Sequence, residues 1–367
     1  MMEIMRSLTG DGLSGNNLCS MARQFECMMS CLADIEVKRP ANDGNTSTKQ
    51  HAFLPLMSET ISDIPACNAA WARSVLFYEY GSAANPRMPL IGIDVFPPSM
   101  HLIAESKIIP LDLSAKLQTG YPATGPNLLA NFVHIAAGDT LSTRTHASSQ
   151  VFYVIRGSGS SLTDGGRLEW KTGDFFAMPL HGEIQHHATA DTAFYWVNDQ
   201  PLMDFLGVQP ARPRFRPLFF SREQLTEELQ KVREANEGKD KNRNGILLAN
   251  PDCPQTKTLT HTMWSLYNLL PAKSRQKAHR HGSIAMDYAV KATEGVYTLI
   301  GPDLDSEGNI INPIRANWVA GGAFVTPPGW WHSHHNESDE DAIVLPVQDA
   351  GLQTYMQTLD IRFARGY

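Results

Sequence analysis

The run AHRHG sets His279 and His281 two residues apart, and about fifty residues later PPGWWHSHHN carries His332 and His334 at the same spacing. On an extended strand, residues two apart project from one face. Both pairs can therefore turn their imidazoles into the interior of a barrel, while His335 points the opposite way. Three neutral imidazoles converging from two neighbouring strands form a nitrogen site suited to Fe(II), Mn(II), Ni(II) or Zn(II). Three protein ligands leave coordination positions open for a substrate, dioxygen or water. A lone histidine is usually structural, so this reading rests on the HxH pair together with the PxGxxH turn and strand. His334 has the parity of His332 and an imidazole suited to acid or base work. Trp318, Trp330, Trp331, Tyr288 and Tyr297 surround these positions. Trp331, Tyr297 and Trp318 are candidates for a substrate wall, although aromatic residues on strands more often belong to a core. Asn336 either orients a ligand or caps a turn.

Such a site needs strands to hold it, and two β-rich blocks supply them, at about 131–208 and 261–356. Short β-branched or aromatic runs (VFYVIRG, DFFAMP and AFYWVND, then VYTLIG, AFVTPPG and AIVLPV) alternate with Gly, Pro and Asp turns. That pattern predicts sandwiches or barrels rather than a βαβ sheet. The blocks end on similar phrases, WVNDQPLMDFLGV and VLPVQDAGLQTYM, as a duplicated barrel would. Between them SREQLTEELQKVREANEG predicts a helix. Ser221 and Gln224 have capping-box spacing, Leu225, Leu229 and Val232 form one stripe, and Gly238 is a stop. The expected organisation is an all-β chain. An N-terminal extension spans 1–65, a first barrel 66–209, a helical linker 210–258, and a second, metal-binding barrel 259–367. Within the extension a helix is expected near 22–37 and a mobile, turn-rich loop at 42–49; a short helix at 66–80 is expected to pack on the first barrel.

The chain has 367 residues, 42% of them hydrophobic and 19% charged, enough for two ordinary cores. A formal charge of −7 with scattered basic residues argues against a nucleic-acid partner. Arg212, Arg214 and Arg216 alternate with Pro and Phe as in a connector. Five cysteines, Cys19, Cys27, Cys31, Cys67 and Cys253, are odd in number and irregularly spaced, which fits a reducing compartment. Cys27 and Cys31 could share a helix face, but a zinc site needs two further ligands. No apolar run is long enough for a membrane span and no signal peptide is evident, so a cytoplasmic protein is expected.

The segment from Gly321 to Asn336 matches the second cupin signature at Gly321, Pro327, Gly329, His332 and Asn336, and His279 and His281 match the paired histidines of the first. The first block carries a degenerate copy in Gly138, Arg144, His146, Gln150 and Gly157, followed by Gly173, Pro179, Gly182 and His186 or His187. The chain thus resembles the bicupins, whose domains are jelly-roll barrels. AHRHGSIAMDY and PPGWWHSHHNESDEDAIVL are more narrowly similar to the metal-binding barrel of the gentisate, salicylate and 1-hydroxy-2-naphthoate dioxygenases. That resemblance implies Fe(II) held by His279, His281 and His332, with O2 as co-substrate and ring cleavage of a small aromatic substrate chelated to the metal. It places His334 where the family has a further active-site histidine. Pairing of such barrels through their sheets implies a homodimer or higher homo-oligomer.

Three departures qualify the resemblance. The glutamate that many cupins add as a fourth ligand is replaced by an apolar residue near Ala285 or Met286. Asp287 stands where gentisate-type enzymes have an arginine for the substrate carboxylate, which reverses the charge and replaces donors with acceptors. Facing the cavity, Asp287 would favour an amine, guanidine or hydroxyl donor on the substrate; otherwise it lies in a turn or pairs with Lys291 or Arg280. The metal-binding features also lie in the C-terminal block rather than the N-terminal one. Arg144 at a ligand position argues against a metal in the first barrel, leaving it a structural role in dimerisation or in covering the second. The activity these features imply is that of a non-haem Fe(II) dioxygenase. The alternatives are an O2-independent metal-dependent isomerase, lyase or hydrolase, and a non-catalytic binding bicupin.

Overall fold

The computed structural model describes residues 68–163, 165–180, 182–237 and 243–364. The helix expected near 22–37, the loop at 42–49 and Cys19, Cys27, Cys31 and Cys67 lie outside the described residues. Of the helix expected at 66–80, the structure describes one turn at Asn68–Trp71; a second short turn, Tyr80–Ala83, follows. Cys253 is a free, half-buried thiol. Among the described residues no helix is long and apolar enough to cross a membrane.

Residues 83–367 form one compact unit in which two barrels are built to the same plan. The large sheet of the first has six antiparallel strands in the order 218–220, 175–179, 149–156, 192–198, 129–135, 107–110, facing a small sheet of four strands. The large sheet of the second runs 95–96, 323–326, 285–291, 342–348, 264–270, 244–248, facing a small sheet built on 314–317, 296–301, 331–336, 279–280 and 362–363. These are jelly rolls, in which a barrel closes by stacking two sheets whose inner faces share a core.

The boundaries drawn from sequence need correction in one respect, because edge strands come from outside the expected barrels. Val95–Phe96, expected within the first barrel, pairs with Phe324 and Ala323 of the second. Leu218–Phe220, expected in the linker, pairs with 175–177 of the first. Asn244–Leu248, also expected in the linker, is an edge strand of the second. Each added strand covers backbone donors and acceptors that an open edge would leave unpaired. The linker helix forms as predicted, over Arg222–Asn236, with a complete capping box between Ser221 and Gln224 and with Leu225 and Leu229 buried.

The duplicated phrases do the same work in both barrels. Each ends a strand and opens a helix, Gln200–Leu206 or Ala350–Met356, through Asp199 or Asp349. Asp199 Oδ1 accepts from the backbone N–H of Ser148 at 2.7 Å and Ser149 at 3.0 Å, and Asp349 Oδ1 accepts from Ile284 N–H at 3.0 Å. The second oxygen of each reaches across the barrel boundary, Asp199 Oδ2 accepting from Thr262 Oγ1 at 2.7 Å and Asp349 Oδ2 from Asn127 Nδ2 at 2.9 Å.

The two large sheets pack face to face. Phe132, Val151, Tyr153, Phe175, Tyr195 and Val197 of the first meet Tyr267, Leu269, Met286, Tyr288, Leu345 and Val347 of the second in one buried cluster. At its centre Tyr195 stacks on Tyr288 with ring centroids 4.9 Å apart, and Tyr195 O–H donates to the Met286 carbonyl at 3.3 Å. Truncating Tyr288 removes both a large buried area and the stack. Tyr288→Ala is expected to cost about 3–5 kcal/mol in a denaturant titration, with both barrels losing structure in one transition.

Candidate metal centre and substrate cavity

The inner face of the second barrel encloses a cavity of about 150 Å³. Its lining includes His279, His281, His332, His334, Asp287, Arg243, Gln276, Asn268 and Gln348, with Leu266, Ala285, Val344 and Pro346 as its apolar part. The strands alternate as the spacing predicts. His279 lies directly opposite His332 in the strand pairing, and the ring centroids of this pair are 4.0 Å apart. His281 completes the group, its ring 4.8 Å from that of His332. Their candidate ligand atoms all lie within 4.8 Å of one another. His335 points to the opposite face, stacked on Tyr297.

Hydrogen bonds fix the tautomers that a metal requires. His281 Nδ1–H donates to the Ser283 carbonyl at 2.8 Å and His332 Nδ1–H to the Trp330 carbonyl at 3.1 Å, leaving both Nε2 lone pairs for an ion. His279 Nδ1 is buried without a hydrogen-bond partner among the described residues, and its Nε2 lies 3.4 Å from Arg243 Nη1. Burial holds the imidazoles in the neutral, ligating form: His281 is pushed down to about 4, while His279 and His332 fall well below the usual histidine range, each further depressed by neighbouring histidines. The donor set, the tautomers of His281 and His332 and the neutral state of all three rings fit a divalent cation.

His334 stands beside this group. Trp318 Nε1–H donates to Thr298 Oγ1 at 2.8 Å, and that hydroxyl lies 2.8 Å from His334 Nδ1. An indole nitrogen only donates, so the hydroxyl accepts from Trp318 and keeps its own proton available to donate to Nδ1. In that tautomer His334 presents Nε2–H as a donor at the cavity. Burial pushes His334 down to about 3, so it serves as a neutral donor rather than a free acid.

The aromatic wall expected from sequence does not form at the cavity. Tyr297 has the opposite strand parity; its hydroxyl donates to Glu337 at 2.6 Å and Arg315 covers its ring. Trp331, next to His332, also faces away and lies under Arg280. Trp318 is buried behind His334 and does not line the cavity. Asn336 caps a turn, its amide donating to the carbonyls of Leu270 and Glu340. Asp287 faces the cavity: it is 3% exposed and accepts from Thr326 Oγ1 at 2.6 Å, while Lys291 pairs with Glu340 and Arg280 with Asp360.

Sequence reasoning missed Arg243, Gln276, Asn268 and Gln348. Leu266 and Asn268 alternate with Tyr267 and Leu269 along one strand, a period-two signal readable in WSLYNLL. Arg243 gave no such signal. It immediately precedes the edge strand 244–248, and its Nη1 lies 3.4 Å from His279 Nε2.

The first barrel repeats the scaffold without the site. Trp170 Nε1–H donates to Ser161 Oγ at 2.8 Å, which lies 2.7 Å from His186 Nδ1, reproducing the relay behind His334. Ser161 lies opposite His186 as Thr298 lies opposite His334, so His186 is the counterpart of His334. The position matching His332 is Ile184, which faces Thr143 as His332 faces His279. Arg144 therefore does not enter the barrel, contrary to the sequence alignment; it is exposed and pairs with Glu183 at 3.0 Å. His146 pairs with Asp204 at 2.9 Å, and Gln150 accepts from Trp196. Phe152, Phe176, Phe194, Trp170 and Trp196 fill the interior.

No family model matches the sequence. Two curated proteins are similar to parts of it. The 5-aminosalicylate 1,2-dioxygenase of Comamonas sp is 25% identical over 178 residues, 48% of this chain and 44% of that protein. Gentisate 1,2-dioxygenase 1 of Aquipseudomonas alcaligenes is 29% identical over 130 residues, 35% of this chain and 33% of that protein. The chain thus spans less than half the length of these relatives. Among solved structures, salicylate 1,2-dioxygenase of Pseudaminobacter salicylatoxidans matches 82% of this chain and 97% of its own at 14% identity and a TM-score of 0.61. Its adduct with gentisate matches 85% and 97%, with a TM-score of 0.62. The shared fold is the double barrel, and the chain resembles the gentisate and salicylate dioxygenases.

Burial raises Asp287 to about 7. Between the ordinary aspartate value near 4 and pH 7, the folded protein therefore holds a proton that the unfolded chain releases, so stability falls as pH rises through that window. In metal-free protein, Asp287→Asn keeps an acceptor for Thr326 and should stabilise little at pH 4. The gain should reach its full size, on the order of 3–4 kcal/mol, above pH 7. Thermal melts across that range check the sign: a variant no more stable than the parent at pH 8 would refute the assignment.

Proposed function

We propose that this chain is a non-haem Fe(II)-dependent dioxygenase that cleaves the ring of a small aromatic substrate chelated to the metal through adjacent donors. The observation carrying this reading is the convergence of His279, His281 and His332, two of them with locked tautomers, on one buried cavity. The names of its relatives support the choice of dioxygen chemistry. His279, His281 and His332 would hold the ion. A bound Fe(II) supplies open coordination positions and a redox couple through which dioxygen and an electron-rich ring can react.

The remaining residues orient the substrate and exclude water. The loss of the family arginine at position 287 would repel an aromatic acid unless another cation compensated, and Arg243 provides one at the edge of the histidine group. Its guanidinium, held by Nη2–H donating to the Lys277 carbonyl at 3.1 Å, would attract a carboxylate by its charge. Asp287 can accept from a hydroxyl or amino group, and His334 presents Nε2–H to an oxygen of the substrate. Leu266, Val344 and Pro346 give the ring an apolar bed.

Untagged protein reconstituted with Fe(II) should hold about one iron per chain and consume O2 with a hydroxy- or amino-substituted aromatic acid. His281→Ala should abolish metal binding and O2 uptake together. Stoichiometric metal with turnover that persists under anaerobic conditions would select the O2-independent enzyme. Binding without turnover would select a carrier. Failure to retain any divalent metal would refute the site itself.

A further inference from the structure

Gln276 is 1% exposed, yet neither Nε2 nor Oε1 of its side chain has a hydrogen-bond partner among the described residues, and it lines the cavity. A buried amide left unpaired is costly, and such a group persists in a native protein where a bound partner satisfies it. Its position is also contrived by the backbone. Gln276 N–H donates to the His334 carbonyl at 2.8 Å, while His279 pairs with His332. Three residues on one strand thus span two on the other, which is a bulge at 277–278. On a regular strand residues three apart have opposite parity, so it is the bulge that brings Gln276 and His279 to the same cavity face. In the first barrel the equivalent strand runs without a bulge, and the residue opposite His186 is Leu141, packed against an apolar core. The barrel with converging imidazoles has an amide where the filled barrel has a leucine.

We infer that Gln276 is a specificity-determining residue, hydrogen-bonding an uncharged polar substituent on the substrate remote from the groups that chelate the metal. The inference rests on the reading of this cavity as the substrate pocket. Gln276 lies beside His334, which is two residues along the strand from His332, so it stands about 7 Å from the ligand row. An aromatic ring anchored at the histidines would direct its far edge there. An amide both donates and accepts, so it suits a hydroxyl or amino substituent and gives no advantage to a bare ring edge.

The test uses full-length Fe(II)-loaded protein under anaerobic conditions, with calorimetric dissociation constants for 2-hydroxybenzoate, 2,5-dihydroxybenzoate and 5-amino-2-hydroxybenzoate. The parent should bind at least one of the 5-substituted compounds about tenfold or more tightly than 2-hydroxybenzoate. Gln276→Leu, which places here the residue found at position 141, should erase that margin while leaving 2-hydroxybenzoate within about twofold. Gln276→Met serves the same purpose if the leucine variant does not fold. A margin that survives in the variant, equal binding of all three by the parent, or binding of none would each overturn the inference. Failure of the dioxygenase reading appears separately, as absence of O2 uptake with whichever compound binds.

Discussion

The cavity depends on one constraint: the large sheet of the second barrel is buried on both faces, and strand alternation gives each face a single task. Along 264–270, 285–291 and 342–348, Tyr267, Leu269, Met286, Tyr288, Leu345 and Val347 seal against the first barrel. The intervening Leu266, Asn268, Ala285, Asp287, Val344, Pro346 and Gln348 line the cavity. A one-residue slip would exchange the two sets, placing polar side chains in the apolar interface and tyrosines in the cavity. The reciprocal Asp199 and Asp349 contacts tie the starts of strands in one barrel to the other, and strand 95–96 adds to the edge of the second barrel's large sheet. The first barrel therefore holds the geometry of a site it does not contain.

Comparison of the two barrels within one chain separates scaffold from chemistry. Both keep the tryptophan–hydroxyl–histidine relay, so that feature belongs to the common architecture. What distinguishes the second barrel is the replacement of Ile184, Thr143 and Leu141 by His332, His279 and Gln276, together with the bulge at 277–278. In the first, stacked Phe152, Phe176 and Trp196 occupy the corresponding interior.

The parts of this site that were legible in sequence are those governed by local parity. HxH and PxGxxH each place imidazoles by alternation alone, and the double barrel followed from short runs punctuated by turns. The capping box at Ser221 was equally local. What was not legible depends on long-range pairing. The bulge shifts the alignment of the two barrels by one residue, which is why Arg144 was matched to His279 when Thr143 holds the equivalent pairing. Arg243 reaches the histidines because a linker segment becomes an edge strand. Trp331 and Tyr297 were placed at the cavity by proximity in sequence, whereas their parity opposes that of His332 and Thr298.

Asp287 presents the sharpest departure from the related dioxygenases, and its surroundings limit what the change can mean. Three neutral imidazoles contribute no charge, Arg243 contributes one positive charge, and Asp287 at most one negative. In the metal-free protein burial favours the protonated carboxyl and outweighs the hydrogen bond donated by Thr326, which favours the carboxylate. With a divalent cation at the histidines, the attraction would draw Asp287 toward its charged form. Even then the cavity keeps a net charge of about two positive units, and an anionic substrate remains the electrostatic match. The aspartate therefore need not abolish recognition of an acid. On the proposed function its effect would be to move the cationic contact toward Arg243 and to give a hydrogen-bond donor on the ring a partner that an arginine at this position would repel.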